Sequence, residues 1–78
     1  MKHYNDMRND AKNLENAIKE KYTRDGYAVH TCEIYANVDF GSFDIYVELS
    51  KPGKDFYKFI RGTYTREQIT KMFDLKGG

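Results

Sequence analysis

Seventy-eight residues, 40% hydrophobic and 32% charged, suffice for one small domain (residues 1–78) and are too few for the deep preorganised pocket most enzymes need. Thirteen Lys and Arg against twelve Asp and Glu leave a formal net charge of +1, which argues against a protein held to nucleic acid mainly by phosphate contacts. The single cysteine, Cys32, excludes an internal disulfide and suits a reducing cytoplasm. No apolar leader follows Met1 and no apolar run approaches about 18 residues, so neither export nor membrane association is expected.

From Tyr4 to Tyr22 the apolar residues Tyr4, Met7, Ala11, Leu14, Ile18 and Tyr22 recur at steps of three and four, which predicts an amphipathic helix. Glu15 and Lys19 stand four apart in the favourable order, and the helix should stop over Thr23-Arg24-Asp25-Gly26, with Gly26 left-handed. Tyr27 to Val38 reads as a strand with Cys32, Ile34, Ala36 and Val38 on its core side and Val29, Thr31, Glu33, Tyr35 and Asn37 on the other. A loop at Asp39-Phe40-Gly41-Ser42 returns the chain into Phe43–Leu49, where Phe43, Ile45, Val47 and Leu49 alternate strictly with Asp44, Tyr46 and Glu48. If Val38 faces Phe43, the open face sets Tyr35 beside Tyr46 and Glu33 beside Glu48.

A turn over Ser50–Asp55 leads to a third strand from Phe56 to Tyr64 with two facings. A four-residue loop buries Phe56 and Ile60 and sets Arg61 beside Asp44; a three- or five-residue loop buries Tyr57 and Phe59 and sets Lys58 beside Glu48. Thr65 and Gln68 form a capping box for a short helix carrying Ile69, Met72 and Phe73, which Gly77 and Gly78 end. The fold class is α+β: helix, three-stranded antiparallel meander, helix, with both helices on one sheet face.

The open face carries the chemistry. Tyrosines in a polar surround suit a protein interface, because each ring supplies contact area at low entropic cost, although cross-strand tyrosines also simply stabilise sheets. Glu33, Asp44 and Glu48, with Asp39, form an acidic row complementary to a surface that normally receives phosphates. The same carboxylates lack the desolvating pocket that would raise the pKa of a general acid. His30 and Cys32 share a strand face two residues apart, but a zinc site needs more ligands, and no third residue orients them as a nucleophile pair; a partly buried histidine beside a core cysteine is the favoured reading. Lys12, Lys19, Lys21, Arg24, Lys51, Lys54, Lys58, Arg61, Arg66 and Lys71 are interspersed with carboxylates that blunt their field. No cofactor is implied, and the chain is expected to be non-enzymatic.

The element order resembles that of a double-stranded RNA-binding domain. That family carries a lysine cluster at the start of its last helix, whereas this chain has Thr65-Arg66-Glu67-Gln68, with only Arg66 and Lys71 to offer. The tyrosine-rich strands Tyr35-Ala36-Asn37-Val38-Asp39-Phe40 and Asp44-Ile45-Tyr46-Val47-Glu48, with exposed carboxylates and no catalytic motif, resemble small phage and mobile-element inhibitors of the anti-CRISPR type. That resemblance implies a cytoplasmic protein-binding module that occludes a host defence nuclease or nucleic-acid-binding protein. The resemblance assigns no residue roles; on the reading of the open face, Tyr35 and Tyr46 anchor the contact and Glu33, Asp44 and Glu48 meet basic groups. The alternative is a nucleic-acid-binding domain that stacks bases on the sheet aromatics and uses Lys58 and Arg61 on phosphates. A third expectation is a homodimer through the open sheet or a strand edge.

Overall fold

Strict alternation makes Phe43–Leu49 a strand with one dry face, and that face is where the chain collapses. A computed structural model describes residues 2–75, with side chains described from residue 6 onward. The order is α1 (Lys2–Arg24), β1 (Ala28–Asn37), β2 (Ser42–Ser50), β3 (Tyr57–Tyr64) and α2 (Arg66–Met72), and the strands form one antiparallel sheet in the order β1-β2-β3. This is the α+β, αβββα layout expected. Tyr4 and His3, and the terminal glycines Gly77 and Gly78, fall outside the residues whose side chains or backbone are described.

The core is continuous. Ala11, Leu14 and Ile18 of α1 and Ile69 and Phe73 at α2 meet Cys32, Ile34, Phe43, Ile45, Val47 and Leu49, so both helices lie on the dry face. Helix α1 ends as its sequence predicts. Gly26 has φ +92°, the Tyr27 amide donates to the Tyr22 carbonyl at 2.8 Å, and the Gly26 amide donates to that of Thr23 at 3.1 Å. These are the paired bonds of a Schellman stop. Its usual apolar contact is supplied by the rings of Tyr22 and Tyr27, edge to face at 5.1 Å.

The capping box forms at α2. Thr65 Oγ1 accepts from the Gln68 amide at 3.2 Å, and Gln68 Oε1 accepts from the Thr65 amide at 2.9 Å. The helix stops earlier than its glycines suggested. Asp74 takes the left-handed conformation at φ +53°, and the Leu75 amide donates to the Thr70 carbonyl at 2.9 Å. Lys21 of α1 satisfies the carbonyls left over, its Nζ donating to those of Phe73 at 3.1 Å and Asp74 at 2.6 Å, while the Tyr22 hydroxyl donates to Phe73 O at 3.3 Å. The two helices are thus tied end to end as well as packed through Phe73, whose ring meets Tyr22 edge to face at 6.0 Å.

The first hairpin departs from expectation by one residue in its loop and by two in its cross-strand pairing. Its loop is Val38–Gly41 and not Asp39–Ser42, and Ser42 closes it opposite Asn37. The Phe40 amide donates to the Asn37 carbonyl at 3.2 Å, and the last loop residue must reach positive φ to re-enter the sheet. Gly41, at φ +65°, does so without steric cost; a loop ending on Ser42 would put that strain on a side chain. Ile34 consequently pairs with Ile45, Glu33 with Tyr46, and Tyr35 with Asp44. The expected Glu33–Glu48 and Tyr35–Tyr46 neighbours are corrected: neither pair is directly opposed. Val38 leaves the strand for the loop.

A second correction comes at the start of β1, where the register slips between Val29 and Thr31. The extra residue, His30, is a bulge that breaks the two-residue alternation, so Val29 packs on the core instead of facing outward. It also separates His30 from Cys32. His30 Nε2 lies 2.7 Å from Ser50 Oγ, whereas the Cys32 thiol donates to the Glu15 carbonyl at 3.6 Å on the helix side. The two residues no longer share a strand face, although both border the groove between α1 and β1.

Of the two facings open to β3, the chain adopts the one that turns Ile60, half-buried, toward the core opposite Val47. Its register is two residues further along than expected, so Arg61 sits opposite Tyr46 and not Asp44. The Lys51 amide bonds to Phe56 O at 3.3 Å, and Gly53 turns at φ +78°. Phe56 stays outside the core, its ring edge to face with Tyr27 at 5.5 Å. Opposite Ile45, Gly62 gives the Tyr64 ring room, since a Cβ there would lie 2.9 Å from Tyr64 Cε2.

Candidate functional site: the open sheet face

The face turned away from the helices is a grid of cross-strand rows. Reading β1 to β3, these are Thr31–Glu48–Phe59, Glu33–Tyr46–Arg61 and Tyr35–Asp44–Thr63. Adjacent strands lie about 4.8 Å apart, so each row is a set of touching neighbours. Six of the seven residues expected at the site are brought together here: Glu33, Tyr35, Asp44, Tyr46, Glu48 and Arg61. The seventh, Lys58, is not. It pairs with Leu49, a core residue, and so points to the helix side of the sheet, because side chains directly opposed across strands share a face.

Three residues on this face were missed. Tyr57, Phe59 and Thr63 could be placed only once the facing of β3 was known, and the sequence left that open. Tyr57 and Phe59 are 63% and 52% exposed, and Tyr35 is 55% exposed. Their signal was the even length of the second loop, legible only through its closing bond between Lys51 and Phe56.

Every carboxylate on the face has a hydroxyl partner. The Tyr35 hydroxyl donates to Glu33 Oε1 at 3.1 Å, that of Tyr57 to Glu48 Oε2 at 2.7 Å, and Thr63 Oγ1 to Asp44 Oδ1 at 2.7 Å. These bonds favour the protonated phenol, so the bonds to Glu33 and Glu48 raise the pKa of Tyr35 and Tyr57 respectively. The Arg61 guanidinium lies over the Tyr46 ring, 5.5 Å from its centroid. Three carboxylates therefore share the rows with one guanidinium. The face is acidic although the whole chain is close to neutral.

Several of the basic residues have structural duties elsewhere. Lys21 ties α1 to the end of α2, Lys19 pairs with Glu15 at 3.6 Å, and Lys51 lies 4.6 Å from the centroid of the Tyr27 ring. At the other edge of the sheet, a groove between α1 and β1 is lined by Glu15, Lys19, His30 and Cys32. Its thiol is not poised for chemistry. Burial, and after it the Glu15 carboxylate, push Cys32 from an ordinary 9.0 up to about 11. The folded state favours the neutral thiol, so this contribution to stability is complete below pH 9 and is lost as pH rises from 9 to 11. In iodoacetamide alkylation near pH 8, the folded chain is expected to react about 100-fold more slowly than the urea-unfolded chain, in proportion to its thiolate fraction. Equal rates would show that the thiol is neither buried nor shifted.

No described helix is long and apolar enough to cross a membrane. Compared with protein-family models, curated proteins and solved structures, the chain finds no match in any of the three.

Proposed function

We propose that the chain is a non-catalytic protein-binding module whose open sheet face engages a basic surface on its partner. In this reading it is an inhibitor of the phage or mobile-element type, acting in the host cytoplasm by occluding a nuclease or another nucleic-acid-binding protein. The supporting observation is the combination of exposed rings with oriented carboxylates: Tyr35, Tyr57 and Phe59 present contact area, while Glu33, Asp44 and Glu48 are held by neighbouring hydroxyls. Carboxylates fixed before binding lose little freedom on meeting arginines or lysines, and their charge steers encounter with a phosphate-receiving surface. With Lys58 on the helix side and Arg61 over Tyr46, the face has little to offer a phosphate backbone.

The test is affinity capture from the host cytoplasm, identification of the captured protein, and titration calorimetry on the purified pair. The double substitution Glu33→Lys/Glu48→Lys is expected to weaken binding about 100-fold or more, at about 1.5 kcal/mol for each reversed charge, with the thermal midpoint little changed. Affinity unaffected by the double reversal would reject this face as the binding surface. A gel shift with DNA or RNA that weakens steeply with salt would favour nucleic acid as the partner instead.

A further inference from the structure

The two outer edges of the sheet are treated differently. In an antiparallel pair, residues alternately turn their backbone groups toward and away from the neighbouring strand. On β1 the Ile34 amide points off the outer edge and donates to Glu15 Oε2 at 3.1 Å, so that edge is covered by α1. Carrying the alternation across the register makes Phe43, Ile45, Val47 and Leu49 the residues that bond to β3, through Tyr64, Gly62, Ile60 and Lys58. Tyr57, Phe59, Arg61 and Thr63 are then left with N–H and C=O groups directed outward. Among the described residues, no turn, cap or side-chain hydrogen bond reaches those groups. β3 is thus an uncovered edge eight residues long, with exposed rings at Tyr57 and Phe59.

We propose that a second copy of this chain covers that edge, the two β3 strands pairing antiparallel about a twofold axis at Ile60. Twofold symmetry and the outward positions allow few registers. Centring on Arg61 would set Arg61 against Arg61, a like-charge pair, and centring on Phe59 would leave Thr63 unpaired. Centring on Ile60 engages all four outward residues: Phe59 faces Arg61 twice and Tyr57 faces Thr63 twice. On the helix side Lys58 then faces Gly62, beside the Tyr64 ring that lies over it. Each guanidinium meets an aromatic ring across the new seam, as Arg61 already meets Tyr46 within one chain. The product is one continuous sheet of six strands whose two open faces point the same way. This inference stands apart from the partner proposed above, and the dimer would present that partner with two copies of the acidic face.

Sedimentation velocity on the full chain across a micromolar to near-millimolar series should show a reversible monomer–dimer equilibrium. Over the same series the Phe59, Arg61 and Thr63 amides should exchange with deuterium more slowly as concentration rises. Thr63→Pro removes one outward N–H and leaves the β2 ladder intact, a position where an edge strand tolerates proline. Phe59→Arg puts arginine against arginine at an exposed site. Each is expected to weaken the dimer about tenfold or more, whereas Tyr35→Ala, off the edge, leaves it unchanged. A chain that stays monomeric throughout, edge amides indifferent to concentration, or a dimer weakened by Tyr35→Ala and not by the edge variants would each overturn the proposal.

Discussion

Replacing Phe73 by alanine is expected to cost about 3–5 kcal/mol, a large share of what a fold this small has to lose. Phe73 is 0% exposed and closes the core between the end of α2 and α1, with its ring against Tyr22. Its carbonyl also receives Lys21 Nζ and the Tyr22 hydroxyl, so a shift of the backbone there loosens the bonds joining the two helices. A domain of this length has a total stability on the order of 4–12 kcal/mol, with the smallest domains at the low end. The Phe73→Ala chain should therefore be substantially unfolded at 37 °C, and urea denaturation followed by circular dichroism would measure the loss. Phe40→Ala is the matched control. Phe40 is 81% exposed at the tip of the first hairpin, and its truncation should change stability by less than about 0.5 kcal/mol. A loss below about 1 kcal/mol at Phe73 would mean that α2 does not belong to the cooperative unit.

Phe73 also shows what the sequence made legible. Its step of four from Ile69, after a Thr65–Gln68 capping box, placed it on the apolar face of a short helix, and the strict alternation of Phe43–Leu49 placed the dry face opposite. Periodicity reads faces well because it is local. Register is less legible, because it depends on where a loop closes. At the first hairpin a single conformational demand, positive φ on the last loop residue, moved the loop one residue earlier and every pair by two. Faces survive a two-residue slip, so Glu33, Tyr35, Asp44, Tyr46 and Glu48 were assigned to the open face while their neighbours were wrong. The bulge at His30 left no mark in composition, and it alone accounts for Val29 turning inward. Lys58 was misplaced and Tyr57, Phe59 and Thr63 were missed for one shared reason: β3 is apolar on both sides of Lys58, so its alternation carries no phase.

The residue that connects stability to association is Glu15, and Glu15→Ala is expected to damage both. The carboxylate accepts the outward Ile34 amide and pairs with Lys19, while the Glu15 carbonyl receives the Cys32 thiol. Alanine keeps the carbonyl and removes the carboxylate, leaving the edge amide unpaired beside the core. Loss of a hydrogen bond to a charged group costs about 1.5–3 kcal/mol, and the helical ion pair adds only about 0.3–0.5 kcal/mol. The larger consequence is topological. With β1 uncovered as well as β3, each chain would carry two free edges, and edge pairing would no longer close after two copies. Light scattering at rising concentration should then show growth beyond any dimer, at temperatures where circular dichroism still reports a folded chain. Glu15→Gln separates the two roles: it loses the charge and keeps an oxygen to accept from Ile34, so it should remain as free of higher assemblies as the parent chain. If Glu15→Ala also fails to assemble, the body of α1 covers the β1 edge without its carboxylate. In that case the difference between the two edges rests on packing and not on one hydrogen bond.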